Sequence, residues 1–215
     1  MPAHARRTAL PALYAIIDPL DTGHRPEELA TAFLAGGARL LQLRWKAAAP
    51  AELLAAATVI ASRARAAGAL FLVNDRPDIA LAADADGVHL GQDDLPITAA
   101  RRLLGAQALI GISTHEVAEA RAAEAAGADY VAVGPIYTTG SKANPLAPRG
   151  LDLVRAARAA VRCPLVAIGG ITPETAAAVR AAGADSLAMI GTLVHAPDPA
   201  GAVRTLLAVL EKEKP

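Results

Sequence analysis

Short apolar runs, many of them β-branched, recur along the chain at Leu13–Asp18, Leu40–Lys46, Leu70–Asp75, Gly87–Leu90, Leu109–Thr114, Tyr130–Pro135, Leu165–Gly170 and Ser186–Gly191. Ala-rich segments separate them, with apolar and charged residues at helix-compatible spacing. Strands alternating with helices in this way read as repeated βα units. The runs are too apolar on both faces to border water, as expected of a parallel sheet covered by helices. Punctuation agrees with that reading. Gly68, Gly127 and Gly183 each stand between a predicted helix and the next strand, where a left-handed residue closes the helix. Thr172 and Pro173 supply an N-cap and a first-turn proline for the helix after the seventh strand.

Eight such units in 215 residues predict one α/β domain over 1–215, a small (β/α)8 TIM barrel with an ordered core of about 12–210. A doubly wound open sheet is the competing arrangement, but no Gly-rich dinucleotide loop follows Ile17. The first eleven residues and the charged tail, Glu211 to Pro215, are expected to fray. In a barrel, sites lie at the C-terminal ends of the strands. Polar residues concentrate at those ends here.

Along the second run, Gln42, Arg44 and Lys46 alternate with Leu43 and Trp45, which predicts that the polar three share one face. Two cations and an amide pointing into a barrel are costly unless they meet an anion. Their spacing of about 6.6 Å between alternate residues suits a ligand as long as a diphosphate. Trp45, on the other face, is expected to pack under a helix. The third run ends in Asn74-Asp75 and the fourth in His89-Leu90-Gly91-Gln92-Asp93-Asp94. Carboxylates from neighbouring strand ends, with waters and phosphate oxygens, make an octahedral Mg²⁺ site. Asp93 and Asp94 also read as turn or N-cap residues before a helix at Ile97. After the fifth run, Ser113 is a candidate phosphate donor. His115 is a candidate acid/base or an ordinary cap-region histidine.

The sixth run continues through Gly134 to Lys142 and on to about Pro148, a long βα connection carrying hydroxyls, glycines and a lysine. Such a loop is a plausible anion clamp and lid. Gly169-Gly170 and Ile190-Gly191 offer backbone N–H groups where barrels commonly hold a phosphate. Two anion sites in one mouth emerge: a cationic, metal-assisted one on strands two to six, and a neutral, backbone-based one on strands seven and eight.

Composition narrows the partners. Twenty-one Lys and Arg balance twenty-one Asp and Glu, leaving no net charge to draw nucleic acid or an anionic membrane. A local cationic cluster still suits anionic small molecules. One cysteine, Cys163, excludes an internal disulfide and any multi-Cys metal site. No run reaches the ~18–20 apolar residues of a membrane span, and no signal-peptide pattern is present, so a cytoplasmic setting is expected.

Six segments, QLRWK at 42–46, ND at 74–75, GVHLGQDD at 87–94, GISTH at 111–115, GPIYTTGSK at 134–142 and AIGGIT at 167–172, together resemble the thiamine phosphate synthase family. The resemblance implies a transferase that joins an aminopyrimidine methyl diphosphate to a thiazole phosphate and releases pyrophosphate by a dissociative route. It implies that Gln42, Arg44, Lys46, Asn74, Ser113 and Lys142 hold the pyrimidine diphosphate, with Arg44, Lys46, Ser113 and Lys142 also catalytic. Asp75 and Asp94 would ligate Mg²⁺. Thr139, Gly140, Ser141, Gly170, Ile190 and Gly191 would receive the thiazole phosphate, and self-association would accompany the fold. The stretch Asn144–Leu151 resembles a sister family, the thiazole tautomerases, in which His115 would be the acid/base. A non-catalytic barrel that binds thiamine phosphates is the alternative of another class.

Overall fold

Alternate residues of seven of the eight strands go to two different cores, and that division organises the molecule. A computed structural model describes residues 9–19, 22–140 and 147–212. In chain order the elements are β1 (Leu13–Ile17), α1 (Pro26–Ala35), β2 (Leu40–Leu43), α2 (Pro50–Ala66), β3 (Leu70–Asn74), α3 (Pro77–Ala82), β4 (Gly87–Leu90), α4 (Ile97–Leu104), β5 (Leu109–Thr114), α5 (Val117–Ala125), β6 (Tyr130–Val133), α6 (Gly150–Ala160), β7 (Leu165–Ile168), α7 (Pro173–Ala181), β8 (Ser186–Met189), α8 (Gly191–Val194) and α9 (Pro199–Lys212). All strand pairings are parallel, and β8 pairs with β1 to close the barrel. The predicted (β/α)8 TIM barrel is the fold.

The larger core lies between sheet and helices and takes Leu13, Leu41, Phe71, Val131 and Leu187 among others. The smaller core fills the barrel itself, with Tyr14, Ile16, Leu40, Leu72, Tyr130 and Val166. Leu10, within the segment expected to fray, packs against this inner core. At the other end, α9 runs through Glu211 to Lys212.

Helix starts follow local chemistry. Pro26, Pro50, Pro77 and Pro173 open α1, α2, α3 and α7, where a missing N–H costs nothing. Glu28 and Glu52 reach back to accept the N–H of Arg25 and Ala49 at 3.0 and 3.1 Å. Gly68, Gly127 and Gly183 have φ of +66°, +92° and +110°, the left-handed geometry expected after their helices.

The N-terminal end of the barrel carries a repeated fastener. Asp86, Asp129 and Asp185 each precede an even-numbered strand and accept the N–H of Phe71, Ile110 or Leu165 on the strand before, at 2.8–2.9 Å. Arg101 from α4 and Arg158 from α6 clamp the second and third of these carboxylates at 2.5 and 2.7 Å.

Six of the eight strands are shorter than the apolar runs, while β4 and β5 match theirs. β2 stops at Leu43, β6 at Val133, β7 at Ile168 and β8 at Met189. The residues beyond leave the ladder to form the loops of the C-terminal face, which is where the polar positions cluster.

Candidate active site

Gln42 and Arg44 point into the barrel as alternation predicts. Gln42 is buried, and its Nε2 donates to the Tyr14 hydroxyl at 2.5 Å. Arg44 N–H still bonds to Ile17 O at 2.9 Å, the last rung of the β1–β2 pair. Its guanidinium is ion-paired to Asp18 just past β1, and both side chains are largely buried. Lys46 departs from the expected geometry. The chain turns after Arg44, with Ala48 N–H bonding Trp45 O, so strand alternation does not carry Lys46 to the site. It arrives from the turn, half exposed, with Nζ 2.8 Å from Asp75 Oδ2. Trp45 packs against the outer core, as expected.

Asn74 ends β3 beside His89 of β4. Asp75 follows in the left-handed region, φ +62°, anchored by its N–H to His89 O at 2.8 Å. Asp tolerates that region better than most residues. The twist brings its carboxyl beside that of Asp94. Asp94 closes a turn, accepting Gly91 N–H at 2.7 Å, and α4 begins three residues later at Ile97. The turn role and the site role therefore coexist in Asp94, while Asp93 is exposed.

The two carboxyls are pushed apart in pKa. Burial raises Asp94, and the neighbouring Asp75 raises it further. Burial also acts upward on Asp75, but the hydrogen bonds from Lys46 and Asp94 and the charge of Lys46 outweigh it, holding Asp75 below the usual carboxylate value. Among the described residues, no third His, Cys, Asp or Glu joins them. A pair of crowded carboxylates is a donor set that fits a hard divalent cation completed by water and phosphate oxygens, with Lys46 competing for the same negative charge.

The second half of the mouth is a cavity of about 620 Å³ between β5, β6, β7 and β8. Ser113, Thr139, Gly140, Gly170, Ile190 and Gly191, all expected at the site, line it. His115 lines it too, with its ring fixed by Nδ1–H donating to Gly134 O at 2.7 Å. Gly170 is required for the loop's close approach: its φ is +63°, and a Cβ there would meet Thr138 O at 2.3 Å. Ser141, Lys142 and Asn144–Leu146 lie outside the described residues.

The expected site residues thus fall into two groups. Gln42, Arg44, Lys46, Asn74, Asp75 and Asp94 sit on β2 to β4 or in the turns that follow them, outside the cavity, with Arg44 and Lys46 held in ion pairs. The neutral group lines the cavity. Ser113 belongs to both, since its Oγ meets His89 Nε2 at 2.9 Å on one side and the cavity on the other.

Four residues escaped the sequence reading: Asp18, Tyr14, Tyr130 and His195. Asp18 continues the inward alternation Tyr14, Ile16, Asp18, a signal that one strand alone does carry. His195 ends α8 and lines the cavity. Tyr14 and Tyr130 look like core aromatics until their hydroxyls are seen to meet at 2.9 Å.

Known proteins of this shape and sequence are close. The model of the thiamine monophosphate synthase family matches residues 13–193. A thiamine-phosphate synthase of Moorella thermoacetica is 48% identical over 203 residues, covering 94% of this chain and 97% of the relative. That of Chlorobium luteolum is 48% identical over 200 residues, 93% of each. The structure of a thiamine phosphate pyrophosphorylase from Pyrococcus furiosus superposes with a TM-score of 0.86 at 33% identity, covering 95% of this chain and 98% of that one. With its barrel matched from first strand to last, this chain belongs to the thiamine monophosphate synthase family.

Proposed function

We propose that this chain, a transferase of that family, makes thiamine phosphate by joining an aminopyrimidine methyl diphosphate to a thiazole phosphate, each half of the mouth taking one substrate. The observation that carries this division is that Ser113 lines the neutral cavity while its Oγ bonds to His89 of β4, the strand whose following turn bears the carboxylate Asp94.

On this reading, Arg44, Lys46, Asn74, Ser113 and Lys142 bind the diphosphate, and Gln42 meets the pyrimidine. Asp75 and Asp94 would hold Mg²⁺, which when bound offsets charge on the departing pyrophosphate. The thiazole phosphate takes Gly170, Ile190 and Gly191 with Thr139, Gly140 and Ser141. The C–O bond breaks, the electron pair leaves with pyrophosphate, and the aminopyrimidine carries the cationic methylene. The thiazole nitrogen then supplies the pair for the new C–N bond. No protein nucleophile is consumed. The barrel contributes positioning and preorganised donors for charge that develops as the bond breaks.

The test is pyrophosphate release, assayed with each substrate omitted in turn and with Mg²⁺ present or chelated. Release that requires both substrates and the metal supports the reading. Metal-independent conversion of a thiazole phosphate alone, abolished in His115→Ala, would instead make His115 an acid/base and overturn it. Binding without turnover would overturn it too.

A further inference from the structure

Across the floor of the mouth runs one continuous chain of polar contacts inside the barrel. Gln42 Nε2 donates to Tyr14 Oη at 2.5 Å, and Tyr14 Oη lies 2.9 Å from Tyr130 Oη. Tyr130 Oη is 2.9 Å from His89 Nδ1, and His89 Nε2 is 2.9 Å from Ser113 Oγ. The three rings hold one another: His89 stacks on Tyr130 at 5.6 Å and 22°, and Tyr14 meets Tyr130 edge-on at 6.0 Å and 80°. Gly111 makes the arrangement possible, because a Cβ there would lie 1.9 Å from Tyr130 Cζ.

Hydrogen-bond arithmetic gives the chain a direction. A phenol has one proton to donate. Tyr14 already accepts from Gln42, so its own proton goes to Tyr130 Oη. Tyr130 then passes its proton toward His89 Nδ1, which must be bare. The imidazole proton therefore sits on Nε2 and is donated to Ser113 Oγ, leaving the Ser113 proton to turn outward into the cavity mouth. With Gln42 donating through Nε2, any other assignment leaves a phenol proton unpaired in a buried site. At the far end, a carboxamide whose NH₂ is engaged on Tyr14 presents its oxygen to whatever lies beside it.

We propose that Tyr14, Tyr130 and His89 are positioning residues that form a one-way hydrogen-bond relay, which makes Ser113 a donor toward the diphosphate and Gln42 an acceptor toward the exocyclic amine of the pyrimidine. The relay deepens the functional reading above and rests on it for the identity of the ligand. It ties selectivity at one end of the substrate to anion binding at the other. An oxo group in place of the amine would set two acceptors face to face, so the relay builds in rejection of the oxo analogue.

Tyr14→Phe and Tyr130→Phe keep the rings and delete one hydroxyl each. Pyrophosphate release is measured for the aminopyrimidine diphosphate and for the analogue bearing oxo instead of amino. The relay predicts that preference for the amine falls about tenfold in either variant, as Gln42 becomes free to turn over. It also predicts that the double variant loses no more than a single one, since a broken relay is not broken twice. Unchanged preference, or losses that simply add, overturns the relay; a packing role alone would give those results.

Imidazole ¹⁵N shifts of His89 provide a readout on the wild-type protein, independent of turnover and of whether the variants fold. A proton on Nε2 with bare Nδ1 supports the relay; a proton on Nδ1 overturns it. A wild type that releases no pyrophosphate overturns the functional reading, while the ¹⁵N result still decides the direction of the relay.

Discussion

Lys46 Nζ sits 2.8 Å from Asp75 Oδ2, so a residue proposed to meet the diphosphate is paired with a residue proposed to hold the metal. The lysine is half exposed and reaches in from a turn, which lets it swing away. Its ammonium supplies the positive charge that the crowded Asp75–Asp94 pair needs, and an arriving divalent cation competes with it. Lys46→Met is therefore expected to move two properties in opposite directions. Metal affinity of the free protein, read by titration calorimetry, should rise about two- to fivefold, the scale of an exposed ion pair. Turnover should fall ~10²–10³-fold, because a donor to the leaving group is lost.

The Asp18–Arg44 pair differs in being largely buried. Removing one partner of a buried pair leaves a charge without compensation, at about 3–5 kcal/mol. Asp18→Asn keeps an acceptor, so about 3 kcal/mol is expected, or roughly 6–12 °C in Tm for a chain of this size. Inorganic pyrophosphate with Mg²⁺ would restore an anionic partner to Arg44. It should raise Tm more in the variant than in the wild type, as thermal melts with and without it would show.

At the opposite end of the barrel, Asp129 should affect stability alone. It accepts Ile110 N–H at 2.8 Å and Arg101 at 2.5 Å, far from the loops of the mouth. Asp129→Ala orphans both donors and is expected to lose about 2 kcal/mol in urea unfolding, with kcat/KM unchanged. Asp129→Asn keeps one acceptor for the Ile110 N–H and should recover part of the loss.

Much of this was legible from residue order because period and punctuation are local. Eight apolar runs with helices between them point to a parallel sheet, the count of eight favours its closure, and alternation alone turns Gln42 and Arg44 inward. Gly170 and Gly191, expected at the site because no side chain covers their N–H groups, line the cavity. What stayed hidden depends on residues far apart in sequence. Tyr14 and Tyr130 are 116 positions apart, and only barrel closure brings their hydroxyls together. Lys46 was misplaced because strand periodicity was carried past the point where the chain turns. The ion pair of Asp18 with Arg44 was missed because an inward aspartate on one strand does not announce which strand will supply its partner.

Glu124 supplies the pH-dependent case. This α5 carboxylate accepts Arg162 N–H at 2.8 Å and Cys163 N–H at 2.6 Å, tying the helix to the segment that leads into β7. Burial pushes its pKa up, but the backbone N–H groups of Cys163 and Arg162 outweigh that and hold it below its ordinary 4.5. A depressed carboxylate stabilises the fold above its unfolded pKa and loses that contribution as pH falls through the folded value. Wild type should thus be more stable than Glu124→Gln at pH 7, by a margin that shrinks once pH drops below about 4.5. Urea unfolding of both proteins across that range measures the margin, and a gap that stays constant with pH would refute the assignment. The same substitution should expose a second effect. Burial and the Glu124 charge push the Cys163 thiol up to about 12. Alkylation at pH 8, slow in the wild type, should therefore quicken in Glu124→Gln as the repelling charge is removed.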